Sequence, residues 1–439
     1  MGLTELNKIL EKNVADLSAR QPLKGLEKAI TGIEPAAADS GPRYRLAGYA
    51  NKTFLRMNSN SYLGLHLHPD VIAAEEACAK QCGSGPGAVR FISGTFQEHL
   101  DLEKNLADFH TRDAGMIFSA AYAAIVGVLQ PLITKETIVI SDQLNHNSII
   151  NAIRMARPLA KAIYNHNDPQ DLETKLISFI NNGKRILVIT DGIFSMRGDH
   201  APLAEIHKIC AKYQNQFEEG VVLVVDDSHG VGAFGQTGRG TEEYCGIHAD
   251  ILIATLGKAM GVNGGYVVSS QQVINYLRET APLYIYSNPI TPAEAAAASK
   301  SLEIIKNASG KKLLANVRKL SEKFRTGLIQ LGLETISGEH PVVPLLVRNT
   351  AKTAHLVDYL FEKEISKGKI EQLSNQMSED RMWEEYPDAH FHKRLFDAYG
   401  LLRSAFNGVF QKPTGVQFTV NITSHDKEAF AVFDRSPHA

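Results

Sequence analysis

The chain has 439 residues, with 46 Lys plus Arg against 48 Asp plus Glu and a formal net charge of −2. That near-balance removes the electrostatic case for nucleic acid or an anionic membrane surface as a partner. The length is enough for a large domain with a substantial core and a smaller one.

The N-terminal MGLTELNKILEKNVADL is charged and amphipathic, with no signal-peptide core. Leu6 stands where a myristoylation signal needs Ser or Thr. Residues 1–55 read as a helical arm followed by a short extended segment, RYRLAGYANKTFLRM. Four cysteines, Cys78, Cys82, Cys210 and Cys245, show no zinc-like pairing with histidine, so no metal is expected. Cys78 and Cys82 fall one helical turn apart in EEACAKQC, which reads as packing rather than a ligand pair. GSGPGAVRFISGT is glycine-rich but lacks the Lys-Ser/Thr of a phosphate loop and follows no strand directly. LDLEKNLADF is an amphipathic helix, and His99 just before it has a structural and a functional reading of equal weight.

Met116–Leu132 (MIFSAAYAAIVGVLQPL) reads as a buried helix after a short turn, too short for a membrane span. ETIVISD, KRILVITDG, VVLVVDD, ADILIATLG and GGYVVSS are apolar runs ending in Asp, Gly, Lys or small polar residues. Continuous apolar strands separated by helical stretches predict a mostly parallel α/β sheet covered on both faces. PAEAAAASKSLEIIK then leads into a second, smaller α+β domain. There HPVVPLLVR reads as a strand, TAHLVDYLFEK as a helix and VQFTVNI as a strand of period two. The division expected is an arm over 1–55, a large domain over 56–295 and a small one over 296–439. A cytoplasmic enzyme is the expected class.

Asp226 and His229 in VVLVVDDSHGVGAFG, and Lys258 in ATLGKAMGVNGG, each stand at a strand end, where α/β sheets place active-site groups. Lys258 follows the run Ile251, Leu252, Ile253 and is a candidate Schiff-base lysine. Asp226 is a candidate partner for the pyridinium nitrogen of pyridoxal phosphate. Singly, a turn-capping Asp and a surface Lys are equally good readings. The two segments in this order favour a pyridoxal phosphate enzyme.

SDQLNHNSII, TDGIFSMRGDHAPL, VDDSHGVGAFGQTGRG and TLGKAMGVNGG together resemble the α-oxoamine synthases, nearest to the glycine C-acetyltransferases. The resemblance runs from about Asn58 to Asn288 and implies a fold-type I pyridoxal phosphate transferase. It also implies roles. Lys258 carries the cofactor and moves protons, while Asp226 faces the ring nitrogen. His229 and Ser195 meet the phenolic oxygen, and His146 stacks on the ring. The amides of Ala121 and Tyr122, at a helix start, hold the phosphate with the Thr255 hydroxyl. Ser287 and Asn288 reach the phosphate of a neighbouring subunit, which implies a homodimer with shared active sites. The glycine-rich stretch becomes a substrate-side loop near that interface.

The likeness fades after residue 340. The family clamps an amino-acid carboxylate with an arginine on a late strand, but KPTGVQFTVNITSHD contains none, and Phe418 stands at the matching position. A bidentate guanidinium pair has no aromatic substitute. Arg403 is the candidate replacement, within an insertion over 370–410 that also holds the only tryptophan, Trp383. The expectation drawn from this departure is a change of reaction. The enzyme would be an aminotransferase passing the amine of L-glutamate to an oxidised octulosonate-type sugar acid for lipopolysaccharide amino-sugar synthesis. The alternative is a synthase that condenses an acyl-CoA with a small amino acid.

Overall fold

The computed structural model describes residues 2–20, 27–36, 41–50 and 52–348, with Thr353, Leu356, Phe361 and the backbone of 419–423. Helix α1 (Gly2–Arg20) comes first, its apolar residues Leu3, Leu6, Leu10 and Leu17 exposed. An antiparallel pair follows, β1 (Ile30–Glu34) with β2 (Arg43–Leu46). The expected extended segment therefore pairs with a strand that ITGIE, with a glycine at its centre, did not announce.

The central sheet is built from β3 (Ala114–Phe118), β4 (Thr137–Asp142), β5 (Ala160–Tyr164), β6 (Arg185–Asp191), β7 (Val221–Asp226), β8 (Ile251–Thr255) and β9 (Gly265–Ser269). Their order is β3-β9-β8-β7-β6-β4-β5. The pairs among β8, β7, β6, β4 and β5 are parallel, whereas β9 runs antiparallel to both its neighbours. The cause is local: residues 256–264 join β8 to β9 with no crossover helix, so the chain must reverse.

Alternate residues of these strands go to opposite faces. Ile138, Ile140, Ile186, Val188, Leu223 and Val225 enter one apolar cluster, and Val139, Leu187, Ile189, Val224 and Ile253 the other. Both faces are covered, so the strands read as unbroken apolar runs; each such side chain contributes about 1.5–3 kcal/mol when buried.

Helices α2 (Pro69–Cys82), α3 (Gln97–Phe109), α4 (Ala121–Leu132), α5 (Asn147–Ala156), α6 (Pro169–Ile177), α7 (Leu203–Tyr213), α8 (Thr241–Cys245), α9 (Gln271–Thr280), α10 (Pro282–Ile285), α11 (Pro292–Lys306) and α12 (Ala308–Gln330) complete the described core. Leu102, Leu172, Leu203 and Leu302 of α3, α6, α7 and α11 join the first cluster. Val128, Ile149 and Ile274 of α4, α5 and α9 join the second. The proposed boundary at 295 falls inside α11, which packs against α2 and α3.

One expectation is corrected, and one strand went unread. Met116–Phe118 belong to β3, and the helix begins only at Ala121, because a short buried apolar run has no period that separates strand from helix. AKAIY forms the edge strand β5, which its alternating half-exposed pattern concealed. Late in the chain, HPVVPLLVR and VQFTVNI supply the strands expected of them, β10 (Val342–Leu346) and β11 (Thr419–Thr423), and the two pair in parallel, which the sequence reading did not specify. Most of TAHLVDYLFEK, and the whole of 370–410, lie outside the described residues. Among the described residues no helix is long and apolar enough to cross a membrane.

Candidate active site

Because β4, β6, β7 and β8 are parallel, their C-terminal residues Asp142, Asp191, Asp226 and Thr255 collect at one edge of the sheet. A pocket opens at that edge, lined by Ala121, Tyr122, His146, Ser148, Asp191, Ile193, Ser195, Asp226, Ser228, His229 and Lys258. Seven of the anticipated residues are thus brought together: Ala121, Tyr122, His146, Ser195, Asp226, His229 and Lys258. Asp142 instead serves the edge loop, accepting from the Leu144 and Asn167 amides.

Lys258 sits in the loop between β8 and β9, anchored where the Leu256 amide donates to the Gly264 carbonyl at 2.9 Å. Burial holds the amine below the usual lysine range, although Asp226, Asp191 and Asp227 pull it the other way. Asp226 is buried, and its Oδ1 accepts from the Ser228 hydroxyl at 2.6 Å and the Ser228 amide at 3.1 Å. It therefore both closes a turn and faces the pocket. Burial and the Lys258 charge push His229 well below the ordinary imidazole value, so its ring is neutral near pH 7. His146 caps α5: its Nδ1 lies 2.7 Å from the Ser148 hydroxyl, and burial lowers its pKa too.

The first turn of α4, which begins at Ala121, places Ala121 and Tyr122 in the pocket lining. Its approach to the sheet depends on Gly265, where a Cβ would stand 2.4 Å from the Ala121 Cα. Tyr122 is half-exposed and accepts a 2.8 Å hydrogen bond from Asn151. Thr255 lies outside the lining: its hydroxyl donates to the Gly264 carbonyl at 3.2 Å and accepts from the Gly257 amide at 3.0 Å. Ser287 and Asn288, after α10, also lie outside it, with Asn288 exposed. Arg403 and Phe418 lie outside the described residues.

Sequence reasoning missed Asp191, Tyr62 and His340. Asp191 pairs in register with Asp226 and is buried. Its Oδ2 accepts from the His146 amide at 3.1 Å, while its Oδ1 has no partner among the described residues. Burial, with Asp226 adding repulsion, lifts its carboxyl well above the usual range. The signal was present, since KRILVITDG ends in Asp as VVLVVDD does. Tyr62 reaches the site across the fold, with its hydroxyl 2.6 Å from His229 Nδ1.

Two other motifs lie outside the pocket lining. His99 is fully buried: its Nδ1 accepts from the Phe96 amide at 3.1 Å and its Nε2 donates to the Ile290 carbonyl at 2.8 Å. Cys78 and Cys82 meet Glu98, with ligand atoms within 4.8 Å of one another. Burial and the neighbouring Cys82 push the Cys78 thiol up to about 11, so it stays protonated near neutral pH.

The donors suit a phosphorylated pyridine aldehyde: an amine of lowered basicity, a buried carboxylate, two neutral imidazoles and a helix start for an anion. The unpartnered Asp191 oxygen marks polar capacity that the protein alone leaves unused. The model for "Aminotransferase class I and II" matches residues 52–369. The chain belongs to that family of pyridoxal phosphate enzymes. It is 36% identical to 8-amino-7-oxononanoate synthase 1 of Bacillus velezensis, over 83% of this chain and 90% of that protein. It is 34% identical to the mitochondrial 2-amino-3-ketobutyrate coenzyme A ligase of Bos taurus, over 83% of each chain. Serine palmitoyltransferase of Sphingomonas wittichii superposes with a TM-score of 0.72 at 25% identity, covering 82% of this chain and 86% of that one.

These relatives are α-oxoamine synthases, and the cofactor is pyridoxal phosphate. They overturn the expected aminotransferase, with its L-glutamate donor, sugar-acid acceptor and place in lipopolysaccharide synthesis. The error was to read a reaction from one missing arginine. Its absence from 412–426 says where a guanidinium is not, and leaves the chemistry at the sheet edge unchanged.

Proposed function

We propose that this enzyme is a C-acyltransferase, joining the acyl group of an acyl-CoA to the α-carbon of a small amino acid. The observation that carries the reading is the likeness to the oxononanoate synthase and the ketobutyrate ligase over four-fifths of the chain, with the pocket residues inside the matched span.

When bound, pyridoxal phosphate supplies an electron sink that stabilises negative charge at the amino acid's α-carbon. Lys258 would hold the cofactor, and its amine, kept below the usual lysine range by burial, would serve as the base for the α-proton. Asp226 faces the ring nitrogen and favours its protonated form. His229 and Ser195 would meet the cofactor's phenolic oxygen, and His146 would lie against its ring, since all three line the pocket. The Ala121 and Tyr122 amides hold the phosphate at the start of α4. Thr255 acts through the loop that carries Lys258, since its hydroxyl is spent on Gly257 and Gly264. Arg403 is the proposed partner of the substrate carboxylate.

We also propose a homodimer in which Ser287 and Asn288 serve the partner's phosphate site. Tyr286 beside them is 79% exposed, and Phe91 and Ile92 are 66% and 68% exposed. The π-helical turn Arg90–Gly94 that carries these two packs against α10, so the residues sit on adjoining segments. Exposed apolar side chains grouped this way mark an interface. The reading is tested by free CoA released from acetyl- or longer acyl-CoA in the presence of glycine, alanine or serine. Multiple turnovers that require both substrates support it, and none with any pair refutes it.

A further inference from the structure

Tyr62 is the least comfortable residue around the site. Its φ is +41°, in the left-handed region that a bulky side chain avoids, and it is fully buried. Such strain persists only where the surroundings over-determine it, and it gathers at functional sites. Here the ring packs with Ala233, Ala259 and Val342, edge-on to His340 at 5.5 Å between centroids, and the hydroxyl ends 2.6 Å from His229 Nδ1.

His340 cannot exchange protons in this group. Its Nδ1 accepts from the Val342 amide at 3.0 Å, so its single hydrogen lies on Nε2, which donates to the His229 carbonyl at 2.8 Å. Burial lowers its pKa to about 3, which keeps that form at any ordinary pH. His340 therefore fixes the His229 backbone and leaves the His229 ring to Tyr62. A neutral imidazole has one donor and one acceptor nitrogen, and the partner of one decides the role of the other. No described protein group bonds to His229 Nε2, and the residue lines the pocket.

We propose that Tyr62 is a positioning residue: its hydroxyl donates to His229 Nδ1 and so keeps the ring hydrogen on Nε2, where it faces the pocket as a donor. The reverse arrangement would turn a lone pair toward the phenolic oxygen, which is itself an acceptor. The inference rests on the reading of His229 given above. It names the residue that sets the tautomer, which spacing alone could not reveal across 167 positions.

The test is the tautomer itself. Holoenzyme labelled with ring-15N histidine is examined by long-range proton–nitrogen correlation, with His229 assigned from the signals lost in His229→Asn. Wild type should show His229 protonated on Nε2 and bare on Nδ1. Tyr62→Phe should populate the other tautomer and lower kcat by about tenfold, the scale of one neutral hydrogen bond, with KM little changed. A wild-type His229 hydrogen on Nδ1 overturns the proposal without any variant, and so does a Tyr62→Phe enzyme that folds and keeps the wild-type tautomer. Absence of acyl transfer would instead refute the proposed reaction, leaving the tautomer result intact.

Discussion

Gly265→Ala adds one methyl group where the sheet meets the proposed phosphate site. The new Cβ would lie 2.4 Å from the Ala121 Cα, 2.5 Å from its nitrogen and 2.7 Å from the Ala120 carbonyl carbon. All three are backbone atoms, so no side chain can swing aside. Restoring ordinary contact at 3.4 Å requires the start of α4 to move by about 1 Å. Overpacking of this kind costs about 1–3 kcal/mol of stability. If the shift weakens one amide–phosphate hydrogen bond, worth about 2 kcal/mol, cofactor affinity falls about thirtyfold. Thermal melts of the cofactor-free protein read the first effect, and pyridoxal phosphate titration followed by visible absorbance reads the second. A variant with an unchanged melt and unchanged affinity would refute the claim that this glycine sets the approach of α4.

Lys258→Ala should cut turnover by at least about a hundredfold, the scale of a positioned proton carrier, while far-ultraviolet dichroism stays unchanged. Activity within a few-fold of wild type would remove Lys258 from the chemistry. Glu103→Ala strands two cations, because Glu103 bonds Arg90 at 3.1 and 3.2 Å and Arg278 at 2.8 Å. A loss of about 3–5 kcal/mol in denaturant unfolding is expected, and a loss under 1 kcal/mol would show the network to be dispensable. Burial raises Glu242 from 4.5 to about 7 despite its ion pair with Arg112. The folded state then binds its proton more tightly than the unfolded chain, so this group's contribution is full below pH 4.5 and is lost as pH rises through about 7. Glu242→Gln should flatten that decline in unfolding free energy, and an unaltered slope would contradict it.

The sequence exposed those parts of the site that sit at the ends of apolar strands. Asp226, with His229 just beyond it, and Lys258 follow such runs, and the run itself reports burial on both faces. Ala121 and Tyr122 were legible through their motif, yet the strand before them was not, since AGMIF reads as well for helix as for strand. Tyr62 and His340 were invisible because their roles come from contacts with His229 made 167 and 111 positions away. Thr255 shows the converse limit: the motif placed the residue, but only the fold shows its hydroxyl committed to its own loop. The missing arginine was read most heavily and misled most, because absence from one strand carries no information about the rest of the site.

The most direct test of the central claim is one comparison on purified holoenzyme. Free CoA is followed with acyl-CoA plus glycine, alanine or serine, and the cofactor spectrum is followed with L-glutamate alone. The account predicts CoA release over many turnovers that requires both substrates for at least one pair, with no conversion by glutamate to the pyridoxamine form. Full conversion by glutamate, with CoA release at background for every pair, would contradict it.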